Sequence, residues 1–226
     1  LSNRMLHQPM DMVGAGIGNS YFQRASEFHR NGHNLARMSK RLFYVLSALV
    51  SLPMLVLGTA GSEIFSLIFG ANWQEAGVYA QLLAPIYIAT FLFRPISKLF
   101  DVLERQKAAF VFNFIVLLIT AISLIPGGLL GKPIIGVALF SISTTLLVLG
   151  RIIWLLAQIG ISCKTILLEF SKNIFRAFLF VCPIIFLKYY INSSPLTIII
   201  GSILSIFLYL IYLITFDKNI KIEIKN

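Results

Sequence analysis

Apolar residues in this chain neither alternate nor keep to one helical stripe. They run on continuously in stretches of about twenty residues, the length a helix needs to cross the ~30 Å hydrocarbon core of a bilayer. Six stretches carry this pattern clearly: 41–60, 76–93, 108–125, 133–150, 174–192 and 196–216. A seventh, 5–22, is more polar because it holds His7, Gln8 and Asp11, and it is expected to span by lining a polar cavity. Only helices and closed barrels satisfy their backbone groups in lipid, and long unbroken apolar runs belong to helices, since barrel strands alternate. The fold class expected is an all-α integral membrane protein of about seven transmembrane helices.

The polar segments supply punctuation. A glycine-containing loop is expected after Ala60, and Pro126-Gly127-Gly128 reads as the breaker that ends 108–125. Pro133 sits where a helix tolerates proline, in its first turn. Asn192-Ser193-Ser194-Pro195 is short enough to join the last two stretches as an antiparallel pair. Arg176 and Lys188 lie inside 174–192, and their long stems are expected to snorkel to the interfaces. Pro53, Pro85 and Pro183 also fall within spans, where each removes a backbone hydrogen bond. Gly14 and Gly18 have the GxxxG spacing that lets two helices approach closely. The run GAGIGN around them is no dinucleotide fingerprint, because nothing before it reads as a strand.

Composition agrees with this pattern: 12% of residues are charged, against about 25% in soluble domains, and mean hydropathy is +0.85. A net charge of +10 would point to nucleic acid if the cations shared one face of a soluble domain. Instead, most of the 19 Lys and Arg residues occupy every second gap between apolar stretches. They fall from Arg24 to Arg41, from Lys98 to Lys107, from Arg151 to Arg176, and at Lys218, Lys221 and Lys225. Such an excess marks the cytoplasmic side, so the carboxyl tail is expected in the cytoplasm, Leu1 on the far side, and anionic lipid rather than nucleic acid as the partner of these cations. Cys163 and Cys182 form neither CxxC nor a disulfide framework and read as buried thiols. Leu1 is not an initiator Met and no signal peptide opens the chain, which is therefore expected to be a piece of a longer protein.

No enzyme constellation emerges, and no metal or cofactor site is expected. His29 and His33 have helical spacing, but Asn31-Gly32 between them is a turn signal and no third ligand is near. His7 and Asp11 share that spacing inside a span, where ionisable groups are expensive, and they are the candidates for ion coupling. Arg4, Arg94 and Arg151 are candidates for binding an anionic substrate, because guanidinium pairs bidentately with phosphate. Arg94 and Arg151 also stand where a cytoplasmic anchor would, whereas Arg4 lies on the cation-poor side.

Two stretches resemble a known family. IFSLIFGANWQEAGVYAQLLAP and RPISKLFDVLERQKAAFVFN are similar to the carboxyl-terminal half of polysaccharide flippases in the multidrug/oligosaccharidyl-lipid/polysaccharide exporter superfamily. Their outward loop corresponds to Phe69-Gly70-Ala71-Asn72-Trp73-Gln74-Glu75-Ala76-Gly77, and a cytoplasmic Phe-x-Arg-Ala-Ser sequence to Phe22-Gln23-Arg24-Ala25-Ser26. The likeness covers about residues 1–113. It implies a two-lobed exporter of which 1–158 forms the second lobe and 159–226 an additional helix pair with a basic tail. The missing amino-terminal lobe of the same protein is then the main partner. The resemblance further implies a bacterial inner-membrane protein that flips undecaprenyl-pyrophosphate-linked oligosaccharide by alternating access, for O-antigen or other surface polysaccharide.

Three alternatives remain open. A drug/cation antiporter of the same superfamily would favour acidic residues in the cavity. A glycan polymerase or acyltransferase would need a sizeable loop bearing catalytic residues. A non-transporting subunit of a glycan assembly complex could dispense with polar residues in its spans.

The alternating cations make one testable statement about topology. A reporter fused after Asp217 is expected to be active as a fluorescent protein and inactive as an exported phosphatase, and the reverse result would invert the assignment.

Overall fold

The computed structural model describes the backbone of residues 2–189 and 194–217, and the side chains of residues 14–188 and 194–217. Among the described residues there is no strand. The helices are α1 (Ser2–Arg30), α2 (Leu35–Phe69), α3 (Gln74–Ile96), α4 (Leu99–Val102), α5 (Gln106–Leu129), α6 (Pro133–Ala157), α7 (Cys163–Tyr189) and α8 (Pro195–Phe216), with a 3-10 turn at Ala71–Trp73. Six segments are long and apolar enough to cross a membrane: Leu35–Phe69, Ala71–Val102, Gln106–Leu129, Pro133–Ala157, Cys163–Lys188 and Pro195–Phe216. They fall on the six clear apolar stretches, and the chain is an all-α, multi-pass membrane protein. The more polar 5–22 lies within α1, a continuous helix of 29 residues.

Several boundaries depart from the sequence expectation, each for a packing reason. The basic segment after residue 22 is mostly helix rather than loop. Tyr21 and Ser39 share a 2.6 Å hydrogen bond and Ala25 is fully buried, so the ends of α1 and α2 are packed together. Only Asn31 to Asn34 remain between them, with Gly32 at φ +67° and Asn34 Oδ1 accepting from Arg37 N at 3.0 Å as the cap of α2.

The glycine-containing loop expected after Ala60 is likewise helical, and α2 ends only at Gly70, whose φ of +99° favours glycine. The helix is kinked rather than ended at Ala60 (φ −119°, ψ 15°). Pro126-Gly127-Gly128 does not break α5 either. Gly127 lies so near α6 that a Cβ on it would stand 2.6 Å from Gly136 Cα, and the turn comes later, at Gly131 (φ +60°). Cys163 and Cys182 are exposed rather than buried, on a helix whose outer face also shows Phe175, Phe178, Leu179 and Phe186. An apolar thiol on such a face suits lipid as well as a core. At the start of α8, Ser194 Oγ caps Thr197 N and Pro195 takes the first turn, while Asn192 and Ser193 lie outside the described residues.

The chain packs into two compact units. One holds Tyr44–Ala84 with the described residues from Leu168 to Asp217. Its core comes from α2 (Tyr44, Ala48, Leu52, Val56, Ala60), α7 (Ala177, Val181, Ile184) and α8 (Ile198, Tyr209, Leu213). The apolar residues of α2 recur at a spacing of four and therefore share one face. Tyr209 Oη donates to Ala48 O at 3.0 Å, satisfying a hydroxyl that is 1% exposed.

The other unit holds Asn3–Phe43 and Pro85–Leu167. Here α5 and α6 form a hairpin, and α1 sets the sequence-predicted glycine pair against α3. A Cβ on Gly14 would meet Arg94 Cδ at 3.2 Å, and one on Gly18 would meet Pro95 Cα at 3.5 Å. The GxxxG spacing thus serves close helix approach, as its chemistry implied. Outer faces of α5 and α8 carry exposed Phe110, Phe114, Leu117, Phe207 and Ile211, the apolar coat that a lipid-facing helix needs.

The two glycines of α5 separate packing from helix propensity. Gly127→Ala is expected to destabilise the protein by about 1–3 kcal/mol through overpacking, whereas Gly128→Ala, with nothing within 4 Å, should be neutral or slightly stabilising. Thermal unfolding of the two variants in one detergent checks the contrast.

Candidate functional site

Three clusters gather partly or fully buried charges of the described residues. The first surrounds Arg151 on α6, a residue 6% exposed. Its Nη2 donates to Asn113 Oδ1 of α5 at 2.9 Å, and its guanidinium carbon lies 4.2 Å from the centre of the Phe93 ring and 5.8 Å from that of Phe112. Phe112 packs in turn on Trp154 at 5.2 Å, and Trp154 stacks on Phe100 at 6.1 Å.

The aromatic rings stand in for a counter-ion, an attraction of about 2 kcal/mol or more when desolvated, and Asn113 adds a charge-assisted hydrogen bond. Arg151 Nε is buried with no partner, and among the described residues no carboxylate pairs with this side chain. Two further polar atoms without partners, Ser141 Oγ and Thr144 Oγ1, lie on the same buried face of α6.

Arg94 immediately follows Phe93 on α3 and is half-buried. Successive helical residues point about 100° apart, so Phe93 turns toward Arg151 while Arg94 turns toward Gly14. The two candidate arginines therefore occupy neighbouring faces of α3 in the same unit. Arg4, His7 and Asp11 have side chains outside the described residues.

The second and third clusters lie in the other unit, at the two ends of the α2–α7–α8 core. Arg176 Nη1 pairs with Asp217 Oδ2 at 3.0 Å and lies 2.6 Å from Tyr44 Oη, which itself donates to Asp217 Oδ2. Beside them Asn173, fully buried, donates from Nδ2 to Ser47 Oγ at 2.7 Å and to Tyr44 O at 3.2 Å. Lys188 Nζ pairs with Glu63 Oε1 at 2.9 Å and donates to Thr59 O at 2.7 Å.

The two cations stand about 18 Å apart along α7 at ~1.5 Å rise per residue. They do not simply snorkel, as the sequence led us to expect; each is fixed to an acid from another helix. These partners were not singled out from the sequence. The available signal was sign: two acids, Glu63 and Asp217, stand at the ends of apolar runs, and two cations, Arg176 and Lys188, lie inside another.

Among the described residues, no three His, Cys, Asp or Glu side chains are grouped to hold a metal ion. The Phe28 and His33 rings touch at 5.4 Å, and the turn at Asn31-Gly32 separates His29 from His33. No protein-family model matches the chain, and neither the curated proteins nor the solved structures give a match.

The Arg176 cluster yields a graded prediction. Arg176 is one-third exposed, so solvent screens the pair and Asp217→Asn is expected to cost about 1–2 kcal/mol, short of the 3–5 of a fully buried pair. Tyr44→Phe removes a hydroxyl shared by both partners and should cost about 1 kcal/mol. Denaturation midpoints of the single and double variants check this, with non-additive losses as the mark of one shared cluster.

Proposed function

We propose that the chain is the second lobe, with an additional carboxyl-terminal helix pair, of a flippase that moves undecaprenyl-pyrophosphate-linked oligosaccharide across a bacterial inner membrane. The observation that carries this proposal is Arg151. A guanidinium enclosed by two aromatic rings and one amide, inside a membrane-spanning helix and with no carboxylate partner among the described residues, retains a cation's demand for an anion. Phosphate meets that demand bidentately. A pyrophosphate is the part of a lipid-linked sugar that most needs such help, since a polar head group cannot enter hydrocarbon unaided.

In this scheme α1 also spans the membrane and the carboxyl tail faces the cytoplasm. The amino-terminal lobe of the same protein closes the cavity, and rocking of one lobe against the other exposes Arg94 and Arg151 to each leaflet in turn. Arg4 would extend the anion path and Asp11 with His7 would couple it to an ion gradient. The protein performs transport and makes or breaks no covalent bond. A paired acid argues against the antiporter alternative, because Asp217 is already neutralised by Arg176 and offers no open carboxylate to a cationic drug.

Complementation tests the proposal in the full-length protein. The wild type is expected to restore surface glycan to a flippase-null strain. Arg151→Met should lower it at least tenfold at unchanged membrane abundance, and Arg151→Lys should recover only part of the loss because a point charge lacks the guanidinium fork. Full activity of Arg151→Met would remove the observation on which the proposal stands.

A further inference from the structure

The kink of α2 places a main-chain carbonyl and a carboxylate against a single cationic nitrogen. At Ala60 the backbone leaves helical geometry (φ −119°, ψ 15°). The carbonyl just before the kink, Thr59 O, accepts from two side chains of other helices, Gln81 Nε2 at 3.2 Å and Lys188 Nζ at 2.7 Å. Side chains inserted into the helical ladder are a recognised cause of such kinks.

Glu63, one turn on, gives Oε1 to the same Lys188 nitrogen at 2.9 Å and receives Ser62 Oγ on Oε2 at 2.7 Å. Glycines bring α3 against this segment without intervening side chains. A Cβ on Gly77 would stand 2.6 Å from Ser62 Cα, and one on Gly61 would stand 2.7 Å from Gln81 Cγ and 2.9 Å from Gly77 O.

Hard oxygen ligands, here a carboxylate and a main-chain carbonyl beside a helix kink, are the donor types that membrane transporters offer to small monovalent cations. Here the position is filled by an ammonium. It arrives on α7 from 129 residues away along the chain, with side-chain exposure of only 18% on each member of the pair. An ordinary structural ion pair requires the carboxylate alone; this nitrogen also engages the carbonyl before the kink.

We propose that Thr59 O and Glu63 form a monovalent-cation site, with sodium as its ligand and the ammonium of Lys188 as a tethered occupant that competes for the same oxygens. Sodium entering the site displaces Lys188 and releases α7 from the kink of α2. The site lies wholly within one compact unit and is independent of what the protein transports.

The test uses the purified chain in nanodiscs and compares sodium chloride with choline chloride at equal ionic strength. Lys188→Met empties the nitrogen position and leaves Glu63 without its counter-charge. At about ten times the dissociation constant, sodium is expected to raise the Tm of this variant by about 3–6 °C over choline. The double variant Glu63→Gln/Lys188→Met should show no sodium-specific shift, and the wild type should need at least tenfold more sodium than Lys188→Met.

Rescue of Lys188→Met by acid or by Glu63→Gln, but equally by sodium and choline, would overturn the site and leave only a structural pair. If Lys188→Met does not fold, reductive methylation of Lys188 in the wild type decides. Labelling that rises with sodium and not with choline supports competition, and labelling indifferent to the salt overturns it.

Discussion

A charge carried into hydrocarbon must bring its own partner, and α7 obeys that rule at both ends. Arg176 is tied to Asp217 and Tyr44 at one level of the helix, and Lys188 to Glu63 and Thr59 at another. Between them lie Ala177, Val181 and Ile184, the residues of α7 that join the buried core. Apolar contacts alone would let helices slide or rotate past one another, because lipid tails compete for the same surfaces. Two polar fixtures set far apart along one helix remove both freedoms. The α2–α7–α8 arrangement therefore depends on these pairs for register as much as on its core for cohesion.

The other unit handles its buried cation by different means. Arg151 has rings on two sides and Asn113 at its tip, so its charge is met by quadrupole and dipole rather than by an opposite ion. The contrast separates the roles of the two units. An ion pair meets each charge with its opposite, whereas a cation balanced by rings and an amide retains an attraction for anions.

Much of the fold was legible because hydrophobic length is a direct reading of membrane thickness. The six apolar stretches, the Pro133 start, the Ser194-Pro195 start of α8 and the GxxxG contact at Gly14 and Gly18 all followed from local chemistry. Where expectation failed, a distant neighbour had overruled a local signal. Gly127 looked like a breaker because glycine is flexible, yet it is helical because α6 needs the space that a side chain would fill. Gly61 beside Gln81 and Gly77 repeats the lesson. Candidate residues were legible by type but not by company. Arg151 was a candidate as a guanidinium at the end of 133–150, but its burial and the choice of Asn113, Phe93 and Phe112 around it depend on packing that pattern alone does not encode.

The length of α2 has a mechanical consequence. Its 35 residues extend for about 52 Å, well beyond the ~30 Å of hydrocarbon, and an aromatic ladder of Phe65, Phe69 and Trp73 marks one end. An amphipathic ring such as that of Trp73 prefers the headgroup layer, which pins that end while the remaining length tilts or projects. Membrane thickness then acts as a mechanical input. A thinner bilayer increases the tilt of α2, and its kink at Ala60 divides the part of the helix that leads to the aromatic ladder from the rest.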